Sequence, residues 1–257
     1  MSAPGEERDG TFLFAWLHSA LQLNHAQREL TLKIVYYGPG LSGKTTNLRQ
    51  LYLRTRPEVR GRLLSVETRD DRTLFFDVLP VLFSSQSGYN VKVKLLTVPG
   101  QVIHVATRRI VLRAADAVAF IADSRRSATE ENNRYWHSLR EDMRENGLNP
   151  DRVPVVIQFN KRDLPDTQTD EELERVRSRG REPVVGAVAL RGEGVCETFH
   201  ELMRAAWQRL DVDANLERNI GLSEKAFLER IFRHLDLGGT TLQGHYGAEG
   251  VSGGGAA

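Results

Sequence analysis

The sequence predicts an α/β fold in three layers, a six-stranded, mostly parallel sheet flanked by about five helices. Three observations predict it. From Leu30 onward, short β-type runs alternate with amphipathic stretches, the pattern of strands joined by crossover helices. Two runs, Ala117-Val118-Ala119-Phe120-Ile121-Ala122 and Val153-Pro154-Val155-Val156-Ile157, are nearly continuous in apolar residues, as strands covered on both faces are. A glycine-rich loop, Gly38-Pro39-Gly40-Leu41-Ser42-Gly43-Lys44-Thr45-Thr46, stands between a strand-type run at 32–37 and a helical run at 47–52.

In order along the chain, residues 1–25 form an N-terminal extension. Its first ten residues are polar. Leu13, Trp16, Leu17, Ala20 and Leu21 then fall at i, i+3, i+4, i+7 and i+8, one apolar stripe of an amphipathic helix. Three readings of it stand: packing on the chain's own surface, a docking helix for a partner, or a membrane-surface helix. The last is disfavoured because the opposite face is not rich in Lys and Arg.

The main domain is expected over 26–211, with strands near 31–37, 73–80, 91–98, 116–123, 153–159 and 183–188. Helices are expected near 44–54, 106–114, 128–146, 169–178 and 194–211. Val91-Lys92-Val93-Lys94 alternates, which places the third strand at or near a sheet edge. A short turn region at about 81–90 lets the second and third strands pair as an antiparallel hairpin. Pro154 has to lie at the start of its strand, where a missing N–H is tolerated. Cys196, Phe199 and Met203 make a core-facing stripe at helical spacing. Residues 212–236 are an extra helical segment with Phe227, Ile231, Phe232 and Leu235 on one face, and 237–257 is a Gly-rich tail expected to be disordered.

Composition excludes several classes. The 257 residues, 40% hydrophobic and 27% charged, suit one α/β domain with tails. With 35 basic against 34 acidic residues the net charge is +1, so no nucleic-acid partner is expected. The single Cys196 rules out an internal disulfide and is compatible with a cytoplasmic setting. No apolar run is long enough to span a bilayer, so no integral membrane association is expected. The seven His are scattered and no Cys/His set has ligand spacing.

The chemistry gathers at expected strand ends. The glycine-rich loop reads G-x-x-x-x-G-K-[ST], a phosphate-binding loop in its proper strand–loop–helix context. Gly38, Gly40, Leu41, Ser42, Gly43, Lys44, Thr45 and Thr46 are its nucleotide-binding candidates. Backbone N–H groups meet phosphate oxygens, Lys44 reaches the β- and γ-phosphates, and the Thr45 hydroxyl sits on Mg²⁺. Asn160-Lys161-Arg162-Asp163 follows a central strand. The Asp163 carboxylate can accept from N1–H and the exocyclic amine of guanine, a donor pair that adenine lacks. Asn160 bridges to the phosphate loop and the Lys161 stem lies along the base.

In Thr97-Val98-Pro99-Gly100-Gln101, Gly100 offers a backbone N–H to a γ-phosphate and Gln101 orients the attacking water. Arg72-Thr73 opens the second strand. Thr73 completes the metal shell when the γ-phosphate is present, and Arg72 is a candidate arginine finger in cis. In Ala187-Val188-Ala189-Leu190 the Ala189 N–H meets guanine O6 and Leu190 covers the base. Gly40 leaves room for the Gln and the Arg, which fits a site able to hydrolyse.

Taken together these strings resemble a Ras-like small GTPase, and more closely the bacterial MglA family. Lys33 to Leu48, Asp71 to Asp77, Thr97 to Gln101 and Asn160 to Pro165 carry the resemblance, which covers about 26–211. It implies a three-layer P-loop NTPase of the Ras-like G-domain type, a slow GTPase with bound GTP or GDP and Mg²⁺, acting as a switch in cell polarity or motility. It further implies GTP-state effectors and a Roadblock-type activating partner that positions the chain's own Arg72 and Gln101, in a cytoplasmic protein recruited to a cell pole. Thr97 stands where most small GTPases carry an Asp that holds Mg²⁺ through water, a change the MglA family shares. It leaves the metal shell to Thr45, Thr73 and water. The runner-up is a nucleotide-bound scaffold with little turnover that assembles with Roadblock-type partners.

Overall fold

The computed structural model describes residues 22–61, 63–66, 76–84, 88–99 and 105–235. Its strands are β1 (Gln22–Asn24), β2 (Glu29–Tyr37), β3 (Leu64–Val66), β4 (Phe76–Ser84), β5 (Asn90–Thr97), β6 (Ala117–Asp123), β7 (Val155–Asn160) and β8 (Val184–Gly186). Its helices are α1 (Lys44–Arg54), α2 (Val105–Leu112), α3 (Thr129–Glu145), α4 (Asp170–Arg179), α5 (Val195–Ala214), α6 (Leu216–Ile220) and α7 (Glu224–Arg233). The apolar stripe of the N-terminal extension and the Gly-rich tail lie outside the described residues.

The strands form one sheet in the order β3-β4-β5-β2-β6-β7-β8, with β1 added beside β2. The six expected strands are present, and the three-residue β1 and β3 extend the sheet to eight. From β5 through β8 the pairings are parallel, while β4 meets β5 as the expected antiparallel hairpin, Ser84 opposite Asn90. β1 runs antiparallel to the first residues of β2, Asn24 opposite Glu29. It occupies the flank that β6 takes up only from Ile34 onward.

β5 lies near one edge of the sheet, between β2 and β4, with the three-residue β3 beyond β4. Lys92 and Lys94 alternate in its first half because one face is polar, with Lys92 bonded to Glu29 at 3.0 Å, and not because a flank is bare. The second strand covers Phe76–Ser84 and extends past the expected end at 80; residues 73–75 lie outside the described residues. It continues through Pro80, a position beyond the stretch that pairs with β3, where a missing N–H interrupts no second ladder. Pro154 precedes β7, as its lack of an N–H requires.

The sheet separates two apolar layers. β6 is buried along its whole length, and its residues alternate between them. On one face Val35, Tyr37, Val118 and Phe120 meet α2, α3 and α4. On the other, Ile34, Tyr36, Ala119 and Ile121 meet α1 and α5, whose Cys196, Phe199 and Met203 point inward as expected. α6 and α7 join this second layer through Leu216, Ile220, Phe227, Leu228 and Ile231, all nearly inaccessible. The extra helical segment is thus part of the main core. The chain leaves β2 through α1 to one side of the sheet and returns through α2 to β6 on the other. The end of β2 is therefore the point where strand order reverses, where open α/β sheets bind ligands.

Candidate functional site

The phosphate loop begins where β2 ends. Gly38 has φ +142°, and a Cβ there would come within 2.3 Å of the Ile121 carbonyl oxygen on β6. Gly43 has φ +105°, and a Cβ there would meet Asn160 Nδ2 at 2.1 Å. No L side chain fits either place, because the backbone conformation is left-handed and a neighbour fills the space. Gly43 is also the N-cap of α1, and no side chain caps that helix, so its first amides face the loop with the positive end of the dipole. Lys44 is buried, its Nζ donating to the carbonyls of Gly38 and Pro39 at 2.9 and 2.5 Å. Ser42 is fully buried and its Oγ has no hydrogen-bond partner among the described residues. Thr45, next to Lys44, is exposed, as is Leu41, at 92% with φ 59°.

The end of β7 meets this loop from the side. Asn160, only 3% exposed, donates through Nδ2 to the Ser42 carbonyl at 2.8 Å and accepts at Oδ1 from the Ala189 N–H at 2.8 Å. One side chain thereby joins three segments. The Ala189 amide donates to Asn160 here, so a carbonyl oxygen placed beside it has to share or displace that bond. Around the bridge lies a cavity of about 220 Å³ lined by Leu41, Gly43, Thr46, Asn160, Lys161, Asp163, Leu164, Val188, Ala189 and Leu190. Asp163 stays part-exposed, with an Arg191 nitrogen 3.9 Å from its carboxylate.

The structure thus brings the phosphate loop, Asn160-Lys161-Arg162-Asp163 and Ala189-Leu190 around one space. Arg72, Thr73, Gly100 and Gln101 lie outside the described residues. Thr97, at the end of β5, is buried at 2% exposure.

Two features escaped the sequence reading. Lys161, at φ 68°, reaches Asp123 at the end of β6, Nζ to Oδ2 at 2.6 Å. Burial pushes the Asp123 carboxyl up, but bonds from Arg125 and Lys161 outweigh it and hold it at about 2. An acid closing an apolar strand on the ligand edge of the sheet was the available signal. The second is α1 itself. Gln50 Nε2 donates to the Leu190 carbonyl at 3.0 Å and Arg54 Nη2 to that of Arg191 at 3.4 Å. No motif marks them.

The sequence that builds this site is similar to that of a known protein. The mutual gliding-motility protein MglA of Myxococcus xanthus (strain DK1622) is 44% identical over 177 residues, spanning 69% of this chain and 91% of the relative. The chain belongs to the MglA family of small GTPases. No protein-family profile matches it. Much of what lies outside the MglA match is accounted for by the chain's greater length, 257 residues. Among the described residues, no helix is long and apolar enough to cross a membrane.

Proposed function

We propose that this MglA-family chain binds and hydrolyses GTP as a molecular switch, and that the GTP-bound form recruits partners controlling cell polarity or motility. The observation that carries the reading is the Asn160 bridge, which places Asp163 and the phosphate loop on one cavity. The carboxylate suits the donor edge of guanine, and an adenine there would leave it unmatched. The buried Ser42 Oγ, without a partner among the described residues, and the start of α1, which no side chain caps, add polar groups to the loop. The motility role rests on the name of the M. xanthus relative.

In this reading Lys44 and the loop amides stabilise charge on the transferring phosphoryl group, Gln101 places the attacking water and Arg72 adds a guanidinium. Among the described residues no cluster of three or more His, Cys, Asp or Glu could hold a metal. A shell of Thr hydroxyls and phosphate oxygens suits an ion that keeps several waters, as Mg²⁺ does. Thr45 and Thr73 would hold it, and it would neutralise charge on the β- and γ-oxygens. Loss of the γ-phosphate removes what Thr73 and the Gly100 N–H hold, so the segments 55–73 and 99–108, which include β3 and the start of α2, relax and partners are released. A Roadblock-type partner speeds hydrolysis by positioning Arg72 and Gln101.

The test is competition for a fluorescent GDP by GDP and ADP, followed by single-turnover GTP hydrolysis with and without a Roadblock-type protein. We expect a guanine preference of roughly 10⁴ and hydrolysis that the partner accelerates, with Gln101→Leu remaining GTP-loaded. Equal competition by ADP overturns the site. Guanine binding without turnover leaves a nucleotide-bound scaffold. Equal turnover of Gln101→Leu and its parent, partner present, removes the role of Gln101.

A further inference from the structure

The C-terminal helices end where α1 ends. α7 buries Phe227, Leu228 and Ile231 in the same apolar layer as Leu48 and Leu51 of α1. Beyond α7 the backbone comes alongside the exit of α1: Leu235 forms an antiparallel bridge with Thr55, and the Arg56 N–H donates to the His234 carbonyl at 2.9 Å. Thr55 is 3% exposed, and its hydroxyl donates to the Leu51 carbonyl at 2.6 Å. The last turn of α1 is therefore covered by residues some 180 positions later in the chain.

That turn matters because of what α1 holds. Its first residue, Lys44, reaches the carbonyls of the phosphate loop. Gln50 and Arg54, one turn apart near its far end, hold the carbonyls of Leu190 and Arg191 in the loop that closes the base cavity. An 11-residue helix is marginal without tertiary support. Fraying from its C-terminal end would loosen Arg54 first and Gln50 next, and the base loop with them.

Resting on the guanine-nucleotide reading above, we propose that the C-terminal segment through Leu235 is a retention clamp. By fixing the exit of α1 it keeps the base loop closed and slows release of the nucleotide. Residues 216–235 are then positioning residues for the nucleotide site, acting through α1.

A cross-strand disulfide tests this in the full chain. The flanking Arg56-to-His234 bond makes Thr55 and Leu235 a non-hydrogen-bonded antiparallel pair. In such pairs the Cα atoms approach to about 4.5 Å, within disulfide reach. The only native cysteine, Cys196, is buried. In the Thr55→Cys/Leu235→Cys chain, release of fluorescent GDP should be several-fold slower in the oxidised than in the reduced form, and reductant should restore the faster rate. Leu235→Ala should release GDP about five- to tenfold faster than wild type, at a temperature where it is fully folded, in the range of ordinary site-to-site coupling. Gln50→Ala should release quickly whether or not the lock is closed. A merely structural contact would change melting but not produce a redox-reversible change in release. Equal release from the oxidised and reduced forms overturns the clamp, even if Leu235→Ala fails to fold. Wild-type protein that binds no guanine nucleotide overturns the nucleotide reading instead.

Discussion

Gly43 and Asn160 offer a quantitative check of how the site is built. Asn160→Ala removes one side chain and both of its bonds, leaving the Ser42 carbonyl without that donor and the Ala189 amide without that acceptor. At about 1–3 kcal/mol for each buried group left unsatisfied, the change costs about 2–6 kcal/mol. Gly43→Ala places a Cβ 2.1 Å from Asn160 Nδ2 at φ +105°. The clash drives Asn160 off the same two partners, and the left-handed backbone adds about 1–3 kcal/mol of strain. Each single change thus breaks the same bridge, and the double variant can break it only once. The double variant should be less stable than Asn160→Ala by little more than the backbone strain, and more stable than the sum of the singles by about 2 kcal/mol or more. Urea unfolding of all four proteins checks this, run on nucleotide-stripped protein so that lost ligand binding does not enter the comparison. Additivity within about 0.5 kcal/mol would refute the shared bridge.

Further outcomes follow from the rest of the molecule. Phe227 is completely buried, so Phe227→Ala should cost about 3–5 kcal/mol in the same assay; a loss under about 1 kcal/mol would mean that α7 is not part of the core. Burial within β2, with Lys94 nearby, lowers Lys33 to about 7. Between pH 7 and the usual lysine range the unfolded chain holds a proton that the folded one releases, so stability rises with pH there. Lys33→Met should therefore stabilise by about 2–5 kcal/mol below pH 7, and its advantage should shrink toward pH 10; a gain independent of pH would contradict the assignment. Asp123, held at about 2, contributes stability that is complete above the usual Asp range and is lost as pH falls through 2. Asp123→Asn should remove that acid-range slope and weaken guanine binding by releasing Lys161, as read by GDP titration.

What could be read from the chain and what could not divide by the distance between interacting residues. The phosphate loop was legible because its physics is local: glycines allow the turn, and a strand and a helix stand immediately beside it. β6 and β7 were legible because burial on both faces leaves apolar runs. The string around Asn160 points to a bridge to the phosphate loop, but the specific bonds, to Ser42 and Ala189, 118 and 29 residues away, are set only by the fold. β1 and β3, three residues each, are too short to carry a period and exist because a neighbouring strand had a free flank. The exact rank of β5 in the sheet was not legible, because an alternating face reports polarity on one side of a sheet and is silent about neighbours in its plane. The return of Leu235 to Thr55 and the grip of Gln50 on the base loop have no pattern at all. By itself the sequence determined which segments could hold phosphate and how their backbones turn; which distant segment braces which was decided by packing, because burial and hydrogen bonding are satisfied by whatever the fold brings near.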